Sequence, residues 1–310
     1  MYQFVTLDNQ TSLPFQGLTY PWMQTSLQNL APKGNFLAIG IYLNTKPVGL
    51  ILAKYLSTSN IDHVEIVSIF IVPEHRQKGL GKELLTKIEE KLAQSNCQHI
   101  DILYSLNLYT PILEKILGKL NWSSGVLHAF QYSTIPEKIK NLPFLHRYSL
   151  NNSFTLLPWV DLTAQTKELI KSQKDDILKY PDVLSPFKEE ETIEPCSSLV
   201  LYYHDEVVGW MIVNRICADT TIYSSLFVKP ELQKLGRAIP LLAASINRQL
   251  QESEIKQAIF LVLADNTPMI KFVKRHLAPY LTSIRQYWKS SKILSNQAIM
   301  ENKSQVIVSV

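Results

Sequence analysis

Two stretches of this sequence, residues 36–120 and 199–277, pass through the same succession of local patterns. A chain built twice on one plan is confined to a duplicated architecture, so the repeat decides most of what can follow. In the first copy the apolar runs Phe36–Leu43 and Pro47–Leu56 flank Asn44, Thr45 and Lys46, which predicts a hairpin. In the second, Leu199–Tyr203 and Val207–Ile212 flank His204, Asp205 and Glu206. Pro47-Val48-Gly49-Leu50 is answered by Val207-Val208-Gly209-Trp210. A further β-rich run follows in each copy, Val64–Val72 before Pro73 and Thr221–Val228 before Lys229-Pro230. Next come Leu80, Leu84, Leu85, Ile88 and Leu92 in one copy and Ala238, Leu241, Leu242, Ile246 and Leu250 in the other, both at helical spacing. Pro240 suits a first helical turn, which needs no N–H donor there. Strands are then expected at Ile100–Tyr104 and Ala258–Leu263, and short helices at Pro111–Leu120 and Pro268–Leu277. Earlier helices are expected at Tyr20–Leu30 and Ala164–Leu178.

The order predicts an α/β (α+β) chain of two tandem domains, each with a mixed central sheet flanked by helices. A length of 310 residues suits two domains. Pro136, Pro143 and the polar residues around them place the boundary near 136–150, giving domains 1–140 and 147–310. Glu189–Glu191 reads as a solvated loop. A net charge of +4, spread over both halves, gives no basic block for nucleic acid or lipid. The three cysteines Cys97, Cys196 and Cys217 have no metal-ligand spacing, so neither a disulfide framework nor a metal site is expected. The opening MYQFVTLDNQ is not a signal peptide, and no apolar run reaches the roughly 20 residues of a membrane span. The expectation is a cytoplasmic protein without nucleic-acid or membrane partners.

Chemistry concentrates in Ile71-Val72-Pro73-Glu74-His75-Arg76-Gln77-Lys78-Gly79-Leu80-Gly81. A strand ends, the chain turns, and a helix starts within a glycine pair. Glycines admit positive φ and close backbone approach, and the amides at a helix start favour an anion. Lys78 and Lys82 add charge. The Lys-Ser/Thr ending of a P-loop and the third glycine of a dinucleotide fingerprint are both missing. Gln233-Lys234-Leu235-Gly236-Arg237-Ala238 repeats the pattern 157 residues after Arg76, again three residues beyond a proline.

Both strings resemble the signature R/Q-x-x-G-x-G/A of the GNAT N-acetyltransferases. The resemblance covers nearly the whole chain, although only these two loops carry motif-grade detail. It implies an acyl-CoA-dependent N-acyltransferase, with acetyl-CoA as co-substrate and an amine as acceptor. It also implies that the backbone amides of Gln77, Lys78, Gly79, Leu80, Gly81 and Lys82, next to Arg76, hold the coenzyme A pyrophosphate. The preceding strand, through Phe70, Ile71 and Val72, would pair with the pantetheine arm. Many members place a carboxylate on that strand as general base, and Glu65 in His63-Val64-Glu65-Ile66 occupies the place. Burial in an apolar run would raise its pKa toward a useful value. Glu65 reads equally well as an exposed strand-end acid, and His63 is a weaker alternative base.

The sequence departs from the family at the tyrosine that many members use to protonate the leaving thiolate. Leu117 stands there in the first copy and Val273 in the second. Tyr104 and Tyr109 lie nearby, though packing explains them more simply. A non-catalytic acyl-CoA-binding or scaffolding role is therefore the alternative function. The second copy also has Ile222 where the first has Glu65, and Ala238 where it has Gly81. The first copy is expected to hold the acyl-CoA.

Overall fold

A computed structural model describes residues 1–30, 34–56, 63–95, 97–147, 150–233 and 236–294. Lys234 and Leu235, half of the second signature loop, lie outside the described residues. The first copy supplies strands β1 (Tyr2–Thr6), β2 (Phe36–Leu43), β3 (Lys46–Tyr55), β4 (His63–Ile71), β5 (His99–Ser105) and β6 (Val126–Thr134). Its helices are α1 (Gln24–Gln28), α2 (Leu80–Gln94), α3 (Thr110–Lys119) and α4 (Pro136–Ile139). The second supplies β7 (Phe154–Pro158), β8 (Leu199–Tyr203), β9 (Glu206–Cys217), β10 (Thr220–Val228), β11 (Gln257–Leu263) and β12 (Ser283–Ile293), with α5 (Ala164–Ser172), α6 (Pro230–Gln233), α7 (Ala238–Gln249) and α8 (Thr267–Phe272).

The helix expected at Tyr20–Leu30 contracts to a 3-10 turn at Pro21–Met23 and α1. The one expected at Ala164–Leu178 breaks after Ser172 into a π-helical turn, Lys174–Leu178. Both hairpins close tighter than the three polar residues suggested. Leu43 pairs with Lys46 and Tyr203 with Glu206, leaving two-residue turns. Asn44 (φ 57°) and His204 (φ 51°) take the left-handed conformation such turns demand.

The chain forms two compact units: Met1–His128 with Gln286–Val310, and Ala129–Arg285. They cut the chain differently from the expected 1–140 and 147–310, because each copy gives up its last strand. In unit 1 the strand order is β1-β2-β3-β4-β5-β12, and β12 pairs antiparallel with β5, Tyr287 opposite Ser105 through Ile293 opposite His99. In unit 2 the order is β6-β11-β10-β9-β8-β7, with Ala129–Thr134 of β6 antiparallel to β11. The two terminal strands are exchanged between the copies.

Each unit buries both faces of its sheet. In unit 1, Val64, Ile66, Ile100 and Ile102 pack beneath the apolar stripe Leu80, Leu84, Leu85, Ile88 and Leu92 of α2. Strand alternation turns the next residues to the other face, where Leu50 and Leu52 meet Phe15 and Leu27 of the N-terminal segment. Full burial of one such side chain is worth about 1.5–3 kcal/mol. In unit 2, α7 covers one face through Leu241, Leu242 and Ile246, and Trp159 and Ile170 cover the other.

One irregularity recurs. β4 runs parallel to β5 only from His63 opposite His99 to Ile66 opposite Ile102, although both strands continue. The register of β4 against β3 shifts right there, so that Val67 is bulged out between Ile66 and Ser68. A bulge bends its strand and adds local twist, which carries β4 away from β5 and opens a wedge between them. Unit 2 repeats this at the same offset. Pairing of β10 with β11 ends at Tyr223 opposite Phe260, and Ser224 is the bulged residue.

Candidate functional site

The wedge of unit 1 gathers the residues singled out in the sequence. On its β3 side Phe70 pairs with Leu50 and Ile71 with Gly49, and the amide of Val72 donates to Val48 O at 2.9 Å. Toward β5 these residues have no sheet partner, since the parallel pairing stopped at Ile66. A 3-10 turn at Pro73–His75 then reverses the chain, and His75 Nδ1 lies 2.9 Å from the Tyr2 hydroxyl on β1.

Gln77 (φ 61°) and Gly79 (φ 83°) both adopt the left-handed conformation, and Gly79 caps the start of α2. Of the two loop glycines, Gly79 is the one whose backbone calls for glycine, because a side chain is strained there. The first helical bond of α2 runs from Glu83 N to Gly79 O at 3.1 Å, so the amides of Leu80, Gly81 and Lys82 precede it, and no side chain caps them. A Cβ on Gly81 would approach nothing nearer than Ile116 Cδ1 at 3.9 Å. The fold has room for a larger residue at Gly81; its bareness leaves space above the free amides. Gln77, Lys78 and Lys82 are exposed, and the Leu80 side chain is core.

The Arg76 side chain turns back to the strand. Its Nε donates to Ile71 O at 2.9 Å, and its guanidinium lies 5.5 Å from the Phe70 ring and 4.5 Å from the Tyr109 ring. In unit 2, Gln233 Nε2 donates to Val228 O at 2.8 Å, the same bond at the same offset. Arginine and glutamine both reach this carbonyl with a side-chain N–H, which accounts for either residue at the head of the loop pattern.

Glu65 lies at the closed end of the wedge, on the face opposite α2. Lys54 stands across from it on β3, and Asp101 stands across on β5. Burial, and next the charge of Asp101, raise its carboxyl above the ordinary carboxylate range, with Lys54, Lys289 and His63 opposing. Asp101 is buried, which alone would raise its pKa. Hydrogen bonds from Lys289, Ser291 and His63 reverse that and hold it below the usual value. Lys289 Nζ is 2.6 Å and His63 Nε2 2.7 Å from Asp101 Oδ2. Two adjacent carboxyls are thus driven apart, one toward the neutral acid and one held ionised. His63 is committed to Asp101.

Asp101 and Lys289 were missed in the sequence. The clue was available for Asp101: His99-Ile100-Asp101 copies His63-Val64-Glu65 at the head of the neighbouring strand. Lys289 gave no signal, because it comes from the far end of the chain. Leu117 and Val273, at the tyrosine positions, are core residues with 2% and 1% exposure and donate no proton. Tyr104 donates to Glu114 Oε1 at 3.0 Å; burial, and then that bond and charge, push its pKa to about 12.

Among the described residues, no helix is long and apolar enough to cross a membrane. The model of the acetyltransferase (GNAT) family matches residues 4–110 and 163–277. No curated protein matches the sequence. Among solved structures, the fold resembles a tandem GNAT protein from the clavulanic acid biosynthesis pathway, with a TM-score of 0.72 at 12% identity, covering 95% of this chain and 99% of that one. It also resembles a GCN5-related N-acetyltransferase from Sphaerobacter thermophilus, with a TM-score of 0.65 at 11% identity, covering 94% and 96%.

Proposed function

The chain belongs to the acetyltransferase (GNAT) family, and from that premise we propose that unit 1 transfers acetyl from acetyl-CoA to a primary amine of a small molecule or peptide. One observation carries the reading: a single open wedge joins a loop with free helix-start amides to a half-buried carboxyl of raised pKa. In this reading the amides of Gln77–Lys82 take the pyrophosphate, and the unpaired edge of Phe70–Val72 takes the amide-bearing pantetheine arm.

Glu65 is the proposed base. An alkylammonium has a pKa near 10.4, so at neutral pH the acceptor must first lose a proton. Glu65 accepts it, and the nitrogen lone pair attacks the thioester carbon. The C–S bond breaks with its electron pair leaving on sulfur, and the surplus proton on nitrogen passes to that sulfur, giving the amide and the free thiol. A thiol pKa near 8.5 makes that thiolate a tolerable leaving group without a dedicated acid. Burial and the neighbouring Asp101 raise its pKa, and Lys54, Lys289 and His63 temper the rise.

The buried Leu117 and Val273 favour a second reading, an acyl-CoA-binding protein without turnover. Release of coenzyme A from acetyl-CoA across a panel of amines separates the two. Turnover lost in Glu65→Gln supports transfer. Binding without turnover for every amine supports the second reading.

A further inference from the structure

Unit 2 keeps the wedge and loses its charges. The pair answering Glu65 and Asp101 is Ile222 opposite Ile259, so no group there can take a proton from a nucleophile. In this second wedge lies a cavity of about 320 Å³. Leu226 of β10 and Leu261 of β11 line it beyond the split, together with Leu242 and Ile246 of α7 and Met269 of α8. No Asp, Glu, Lys, Arg or His lines it. Three of its polar side chains are engaged: Thr134 Oγ1 donates to Tyr280 O at 2.7 Å, Ser224 Oγ to Ile212 O at 3.2 Å, and Asn266 Oδ1 accepts from Met269 N at 3.1 Å, whereas the buried hydroxyl of the lining residue Tyr223 lacks a hydrogen-bond partner among the described residues. What remains is alkyl and aryl surface, the Tyr223 hydroxyl and the edges of two strands that stop pairing after Tyr223 and Phe260.

We propose that this cavity is a second binding site, for an uncharged aliphatic chain of about eight to twelve carbons carrying one amide, ester or hydroxyl group. The length follows from volume, since a dry cavity of about 150 Å³ accepts a six-carbon ring. The single polar group follows from the strand edges, which need a donor or acceptor that the wedge no longer provides. Neutrality follows from the lining, because an ionised carboxylate would be desolvated with no counter-charge. With isoleucine in place of the base, the site holds its ligand without reacting on it. The cavity and its ligand class do not depend on the reading of unit 1; the expectation that no reaction follows rests on Glu65 being the base there.

Calorimetry on the full chain with decanamide tests it. One molecule should bind per chain, affinity should rise from C8 to C12 and fall at C16, and decanoate should bind at least tenfold more weakly. Leu226→Trp and the half-exposed Leu261→Trp fill the cavity; each should weaken decanamide at least tenfold and leave coenzyme A affinity unchanged. The chain-length series needs no variant, so a misfolded one does not shelter the idea. A Gly81→Leu variant, aimed at unit 1, then distinguishes the source. If it retains decanoyl-CoA, the chain arrives on a thioester; if it retains decanamide alone, a free neutral lipid is the ligand. Absent or length-independent binding, binding untouched by both Trp variants, or loss of both ligands in Gly81→Leu would overturn the proposal.

Discussion

Glu65 and Asp101 face each other on neighbouring strands, and their pKa values are shifted in opposite directions, Glu65 up and Asp101 down. For Glu65→Gln, the rate of acetyl transfer should fall by about 10²–10⁴-fold, the usual contribution of a general base, with coenzyme A affinity unchanged. The same substitution makes a stability claim. A carboxyl whose pKa is raised on folding contributes stability that is complete below its unfolded value and is lost as pH rises through its folded value. Glu65→Gln should therefore melt higher than the parent at neutral pH, and the two should converge in acid; thermal melts across pH measure it. Asp101 behaves oppositely, its contribution present above the ordinary carboxylate range and lost in acid. Because Asp101 helps raise Glu65, Asp101→Asn should move the acidic limb of the rate profile to lower pH. An unmoved limb would mean that Asp101 only holds Lys289 and His63.

At the scale of the element, the signature loop separates two uses of glycine. Gly79→Ala should destabilise by about 1 kcal/mol, the cost of a side chain at positive φ. Gly81→Ala should be tolerated, as Ala238 is in the second copy, whereas Gly81→Leu should abolish coenzyme A binding with little change in melting temperature. Arg76→Gln should preserve the loop, because Gln233 makes the equivalent bond, and Arg76→Leu should weaken coenzyme A roughly 3–10-fold, the worth of one hydrogen bond. Much of this element could be read beforehand. The stripe Leu80 to Leu92 and the 157-residue offset between the loops are local patterns, and local patterns survive in a sequence. The bulge at Val67, the wedge it opens and the Arg76 bond to Ile71 O depend on which strand lies alongside. The same limit hid Lys289, which reaches Asp101 only because β12 pairs with β5. Sequence patterning placed neither of the final strands β6 and β12, and so could not name their partners.

For the whole molecule, the exchange of β6 and β12 makes the halves interdependent. A fragment 1–140 contains the loop and Glu65 but lacks β12, leaving the β5 edge open beside a core that includes Trp288. It should aggregate or bind no coenzyme A, and 147–310, without β6, should fare no better. Co-expressed, the fragments should recover binding, because each carries the strand the other lacks. A soluble, coenzyme-A-binding 1–140 would disprove the dependence. The exchange also reaches back to synthesis. Unit 1 has most of its residues by His128 but waits for Gln286. At ~5–20 residues per second the ribosome needs roughly 8–30 s to get there. Throughout that interval the nascent first half presents an unpaired strand edge, so a stall or premature stop within the second half would disable the unit that carries Glu65.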